Sequence, residues 1–307
     1  MSPVQTLVNV NTKTASVSWT NIVGQKVRDY KLLIKFRLTL TVVFSSVMAY
    51  LIAITGEIDW KAVGILSLGG FLVTGAANAL NQALEKDFDR LMKRTADRPV
   101  AAGRMKMSEA VMSAGFMSLF GITLLALFNP WTAFFGMIAL MSYAFVYTPM
   151  KRISPAAVTI GAIPGALPTL IGCAAAQGAI TPLGLSLFAV QFLWQFPHFW
   201  SIGWLGYEDY AKAGYKLLPT SKGQLDPATG FQSFMYAMLL VPVTAMPWFM
   251  GITNVWSAFI AVLLSLTYAV FGWNFYQKLN RKAALQLMFF SFLYIPVVLV
   301  TFYLTKL

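Results

Sequence analysis

Asn81, Glu85 and Asp89 stand four residues apart at the end of an apolar run. On a helix they spread over only about 80° of surface and make one polar stripe, from which Asp87 points away. Two carboxylates and an amide are costly beside hydrocarbon, because like charges repel and each loses hydration. A divalent cation offsets that cost. Magnesium binds through one or two carboxylates together with phosphate oxygens, so Glu85 and Asp89 are candidate metal ligands. Arg90, Lys93, Arg94 and Arg98 follow at once, and arginine offers phosphate a planar two-pronged fork. A solvated membrane-edge loop would account for the bases. It would not account for the acids.

Two further segments carry similar residues. Residues 198–224 hold the acidic pair Glu208 and Asp209, then Lys212, Lys216 and Lys222, with Gly214 and Pro219 shaping a loop. Asp209 and Glu208 are thus candidates for a second part of the metal site. Residues 147–152, YTPMKR, add Tyr147, Lys151 and Arg152. Acids and bases from three connectors suit a magnesium-bridged diphosphate. Arg94 and Arg98 are expected to clamp it more firmly than Lys151 and Lys216.

The single histidine, His198, lies in WQFPHFW near the end of another apolar run. An ionisable residue within a membrane segment is a functional candidate, and imidazole commonly ligates haem iron. Pro197 frees a carbonyl nearby, so donation to that carbonyl at a kink is an equal alternative. Trp194, Phe196, Phe199, Trp200 and Trp204 surround it, as cavity lining or as an interfacial belt. The glycines and prolines of TIGAIPGALPTLIG suggest close packing or a kinked cavity wall.

The elements that must hold these residues are membrane helices. Of 307 residues, 58% are hydrophobic and 11% charged, with mean hydropathy +0.66. One Cys and one His leave no cluster of nitrogen and sulfur ligands, which argues against zinc. Nine runs are long enough to cross a bilayer: 38–56, 62–84, 108–128, 131–149, 155–176, 182–205, 231–250, 254–276 and 283–304. The expected fold is all-α, a polytopic membrane protein with about nine helices bundled around a central cavity open to the cytoplasmic side. Residues 1–20 are expected to be a flexible tail, 21–37 an interfacial segment, and 38–307 one transmembrane domain. All but Lys61 and Lys306 of the 23 bases fall on one face. The positive-inside rule makes that face cytoplasmic, with the N-terminus inside and the C-terminus outside. Bases confined to a membrane face suit lipid and phosphorylated substrates, not nucleic acid.

Taken together, NQALEKDFDRLMKRTADRP, YTPMKR, WQFPHFW and EDYAKAGYKLLP resemble the intramembrane prenyltransferases of the UbiA type, and among them the branch that farnesylates haem. The resemblance covers about residues 30 to 305. It implies a multi-pass enzyme of the cell (inner) membrane. With Mg2+ it would transfer the farnesyl group of farnesyl diphosphate to a vinyl group of protohaem IX, water adding to give haem O. It assigns catalysis to Asn81, Glu85, Asp89 and Asp209, and metal to Glu85, Asp89, Glu208 and Asp209. Diphosphate falls to Arg90, Arg94, Arg98, Lys151, Arg152 and Lys216, and haem to His198. Haem A synthase and terminal-oxidase assembly factors become candidate partners. Two departures stand out. Glu85 replaces the more common Asp, one methylene longer, and the second loop lacks a paired Asp-x3-Asp. Alternatives are a prenyltransferase for a quinone precursor or other aromatic, and a membrane transporter.

Overall fold

The computed structural model describes residues 19–221 and 224–307. Lys222 and residues 1–18, most of the expected tail, lie outside the described residues. Almost everything else is helix: α1 (Trp19–Leu33), α2 (Phe36–Ala53), α3 (Trp60–Leu84), the short α4 (Lys86–Asp89), α5 (Met107–Ala126) and α6 (Pro130–Met141). A π-helical turn (Ser142–Tyr147) joins α6 to α7 (Thr148–Met150). Then come α8 (Ala157–Gln177), α9 (Pro182–Leu205), α10 (Tyr207–Lys212), a two-stranded hairpin of β1 (Thr220–Ser221) and β2 (Gln224–Leu225), α11 (Ala228–Phe249), α12 (Val255–Lys278) and α13 (Arg281–Leu304).

Local sequence explains where the long helices begin. Asp59, Asn129, Thr181, Asn254 and Asn280 each cap a helix, their side-chain oxygens accepting an otherwise orphaned backbone N–H. Pro130 and Pro182 follow two of these caps, where a missing N–H costs nothing.

Among the described residues, nine long helical stretches run between two ends. Eight are apolar enough to span a membrane by length and composition, with Pro130–Met150 counted as one. The ninth, α9, has 24 residues but is diluted by Gln191, Gln195, Pro197 and His198. These polar residues are tolerated because they are buried against other helices rather than lipid. At one end, the Asn254 amide donates to the Thr305 carbonyl, Asn129 to the Ala174 carbonyl, and Lys306 to the Leu51 and Ile54 carbonyls. The described acids and bases around Glu85, Lys151 and Tyr210 gather at the other.

Helices approach closely where side chains are missing. A Cβ on Gly172 would lie 2.0 Å from the Ser46 carbonyl oxygen, so α8 and α2 meet backbone to backbone. The Gly-Pro run of α8 is therefore a packing face, as small residues are in membrane bundles generally. The segment 21–37 is mostly α1. It is pinned by Arg104, which binds both Asp29 and Asp97, and by Lys26 on Glu109. The first apolar helix begins at Phe36, just after Lys35 in the left-handed conformation (φ 49°, ψ 57°).

Candidate active site

The stripe forms as its spacing demands. Although α3 ends at Leu84, the i to i+4 bonds continue, Glu85 N–H to the Asn81 carbonyl at 2.9 Å and Asp89 N–H to the Glu85 carbonyl at 2.8 Å. Asn81, Glu85 and Asp89 are buried in line, with exposures of 0%, 4% and 0%. Asp87 faces away and pairs with Arg90 at 3.5 Å.

Three bases close over the stripe. Arg98 Nη1 lies 2.7 Å from both Asp89 carboxylate oxygens and 3.9 Å from Glu85. Lys151 Nζ donates to Glu85 at 2.7 Å. Lys35 Nζ donates to Asn81 Oδ1 at 3.0 Å and to the Tyr143 hydroxyl at 3.3 Å. Asn81 in turn donates to Thr148 Oγ1 at 3.1 Å. The π turn helps to set this wall, as such turns often do at functional sites. It brings Tyr143 and Tyr147 together, with Lys151 over the Tyr147 ring at 4.6 Å.

Charge and burial compete here. Burial raises the Glu85 carboxyl, but Lys151, Lys35 and Arg98 outweigh it and hold it below its ordinary value. Asp89 goes the other way, since burial lifts it more than Arg98 lowers it. Burial, then repulsion from Arg98 and Lys151, drops Lys35 well below the usual lysine range.

The loop after α9 meets the same end. The Lys216 amide donates to the Lys151 carbonyl at 2.6 Å, and Arg94 donates to the Tyr210 hydroxyl at 2.9 Å. Gly214, at φ +72°, makes the turn that delivers the buried Tyr215 beside Phe88. Burial, and next the Glu85 charge, push the Tyr215 phenol well up. A cavity of about 150 Å³ adjoins Glu85, lined also by Phe88, Thr148, Arg152 and Tyr215.

Not every expected residue joins this cluster. Arg90 turns outward to the Ala101 carbonyl at 2.7 Å, Arg152 sits over the Phe88 ring, and Arg94 is spent on Tyr210. Lys151, ranked below Arg94 by sequence, is buried on Glu85 instead. Asp209 is part-exposed and 3.9 Å from Lys212, and Glu208 is exposed. Among the described residues no three acidic, histidine or cysteine side chains gather as a metal site. The donor set that remains, Glu85 and Asp89 beside Asn81, still suits magnesium, which needs only one or two carboxylates when phosphate completes its shell.

Sequence reasoning missed Lys35, Tyr143 and Thr148. Lys35 was hidden among the bases of 21–37, and its left-handed backbone has no signature in a lysine. His198 is buried on α9, its Nδ1 2.7 Å from Ser291 Oγ of α13 and its ring stacked on Trp194 at 4.9 Å. Its partner is thus a hydroxyl across the bundle, not a carbonyl freed by Pro197.

Residues 42–294 match the UbiA prenyltransferase family. The chain belongs to that family. It is 42% identical to the protoheme IX farnesyltransferase of Cytophaga hutchinsonii, over 90% of this chain and 97% of that one. It is 40% identical to the enzyme of the same name from Flavobacterium psychrophilum, over 91% and 94%. Among solved structures it superposes on a digeranylgeranylglyceryl phosphate synthase with a TM-score of 0.76 at 20% identity, covering 92% and 98%. It also superposes on a UbiA homolog from Archaeoglobus fulgidus bound to DMAPP and Mg2+, with a TM-score of 0.67 at 17% identity, covering 89% and 99%. Membership of this family accounts for the bundle of membrane helices.

Proposed function

We propose that the protein transfers the farnesyl group of farnesyl diphosphate to a vinyl group of protohaem IX, with addition of water, giving haem O and diphosphate. The observation that carries the diphosphate half is the charge balance of the buried cluster. Lys35, Arg98 and Lys151 oppose Glu85 and Asp89, which leaves one positive charge when all are ionised. A magnesium ion would bring that to three, the charge a farnesyl diphosphate trianion cancels.

Magnesium held by Glu85 and Asp89, with Asn81 alongside, would supply electrostatic pull on the diphosphate. The protein supplies the rest. Arg98 and Lys151 are paired to the carboxylates, poised to pass to the substrate's phosphate oxygens. Lys35 adds a third cation, held by Asn81 and Tyr143. As the allylic C–O bond breaks, the electron pair leaves on the diphosphate, and these cations stabilise the growing charge in a water-poor setting. The farnesyl C1 bonds the terminal vinyl carbon, water captures the carbocation left beside the ring, and one proton departs. The surrounding apolar helices must keep water from the farnesyl cation until that first bond has formed.

The acceptor half rests on His198 and on the relatives' shared name. Imidazole Nδ1 held by Ser291 leaves Nε2 as the nitrogen for haem iron. The basic end, which also carries Lys278, Arg281 and Lys282, faces the cytoplasm under the positive-inside rule. On that rule the site and the N-terminal side of the chain would be cytoplasmic, in a cell membrane, with the C-terminal side outside. Glu208 and Asp209, exposed and part-exposed on α10, would serve only as outer acids of the site.

The test is purified protein in lipid with farnesyl diphosphate, haem and Mg2+, followed by mass analysis of the haem. Haem gaining a hydroxyethylfarnesyl chain, with diphosphate release that stops on chelation, is the expected outcome. Farnesylation of an aromatic quinone precursor but not of haem would overturn the acceptor. Absence of any diphosphate release would favour transport instead.

A further inference from the structure

The second connector meets the acid stripe through a residue other than its acids. Tyr215 is 6% exposed, and its hydroxyl has no hydrogen-bond partner. Buried hydroxyls are nearly always paired, because losing water without replacement is costly. The ring is firmly placed. It packs against Phe88 and Tyr210, lies 5.7 Å from Lys151 Nζ, and sits within a buried cluster with Met92 and Ala213. Its backbone N–H donates to the Tyr210 carbonyl at 2.9 Å, and the next residue is tied to the Lys151 carbonyl. The hydroxyl oxygen lies toward the Glu85 carboxylate, which adds to burial in raising the phenol, yet no hydrogen bond of ordinary geometry joins the two. A phenylalanine would fill the same space.

The oxygen does have somewhere to act. Tyr215 lines the 150 Å³ cavity together with Glu85, Thr148 and Arg152. A space of that size holds a few waters or one compact anion. Lys151 holds Glu85 Oε1 at 2.7 Å and Arg98 stands 3.9 Å from Oε2, so two cations compete with the phenol for that carboxylate. A phenol is neutral at physiological pH, so it is a donor to an anion.

We infer that Tyr215 is a diphosphate-binding residue, its hydroxyl donating a hydrogen bond to a phosphate oxygen of the prenyl diphosphate in the cavity beside Glu85. The inference rests on the diphosphate chemistry of the preceding subsection. Without substrate, water in the cavity serves the hydroxyl and is displaced when the anion arrives. The second connector then contributes a neutral donor to the buried site, while Glu208 and Asp209 stay at its rim.

The test is Tyr215→Phe in the full chain, in lipid. Binding of inorganic diphosphate with Mg2+ is measured beside thermal unfolding and the KM for each substrate. The expected result is about a tenfold loss of diphosphate affinity and a matching rise in the KM for farnesyl diphosphate. The KM for haem stays unchanged, and the melting temperature changes little because the ring still fills the same space. Unchanged diphosphate affinity overturns the inference and leaves the hydroxyl to water alone. Loss of affinity together with a lower melting temperature and a raised haem KM also overturns it, since the hydroxyl then serves the fold. If the native chain itself binds no diphosphate, the inference and the proposed function fall together. If it binds and Tyr215→Phe binds equally well, only the inference falls.

Discussion

Lys151 meets Glu85 at 2.7 Å across 66 residues of sequence, both side chains at most a tenth exposed. One stands at the end of the helix that carries the acids, the other just beyond the π turn. Neither is stable there alone, because an unpaired buried charge is far more costly than a buried pair.

Glu85→Gln therefore acts on folding as well as chemistry. It should lower stability by roughly 3–5 kcal/mol by leaving Lys151 unmatched. Turnover should fall on the order of a thousandfold. Glu85→Gln with Lys151→Met should regain much of the stability and none of the activity. Unfolding curves in detergent beside farnesyl transfer check both.

Asp89→Asn separates the two effects in another way. Asparagine keeps a carbonyl oxygen for Arg98, so the melting temperature should move less than for Glu85→Gln. Turnover should still be lost, since the amide binds magnesium poorly. Wild-type activity in Asp89→Asn would remove this carboxylate from the metal site.

Lys35 predicts a pH dependence. Burial holds its free-state pKa well below the usual lysine value, and a bound diphosphate would raise it again. The complex then holds more protons than the free protein between the depressed value and the raised one. Affinity for inorganic diphosphate should accordingly fall as pH climbs through that window. Lys35→Met should bind weakly and lose the slope. A titration of affinity against pH for both proteins decides it.

His198→Ala should weaken haem binding while leaving diphosphate binding and the helical content unchanged. Ser291→Ala, which frees Nδ1 from its 2.7 Å partner, should have the same effect to a smaller degree. Haem titration by absorbance is the measurement. Unchanged haem affinity in His198→Ala would remove the ligand role.

Gly172→Leu should unfold the bundle, because even a Cβ there would stand 2.0 Å from the Ser46 carbonyl oxygen. Gly172→Ala should cost about 1–3 kcal/mol as α2 and α8 are pushed apart. Gly115→Ala, with open space at its Cβ, is the matched control and should be near neutral.

The sequence alone determined the long helices, the sorting of nearly all bases to one end, and the alignment of Asn81, Glu85 and Asp89. These depend on composition and on the 3.6-residue period, which local sequence carries in full. It also marked His198 as an ionisable residue within a membrane segment. Tertiary structure decided which of many bases touch the acids. Arg98 and Lys151 do, Arg90 and Arg94 turn elsewhere, and Lys35 arrives from a segment that looked merely interfacial. It also placed Tyr215, rather than Glu208 or Asp209, in the buried wall. The physical reason is common to all of these. Long side chains on loops are aimed by helix ends, a left-handed lysine and one glycine turn, and such long-range placement leaves no periodic mark along the chain.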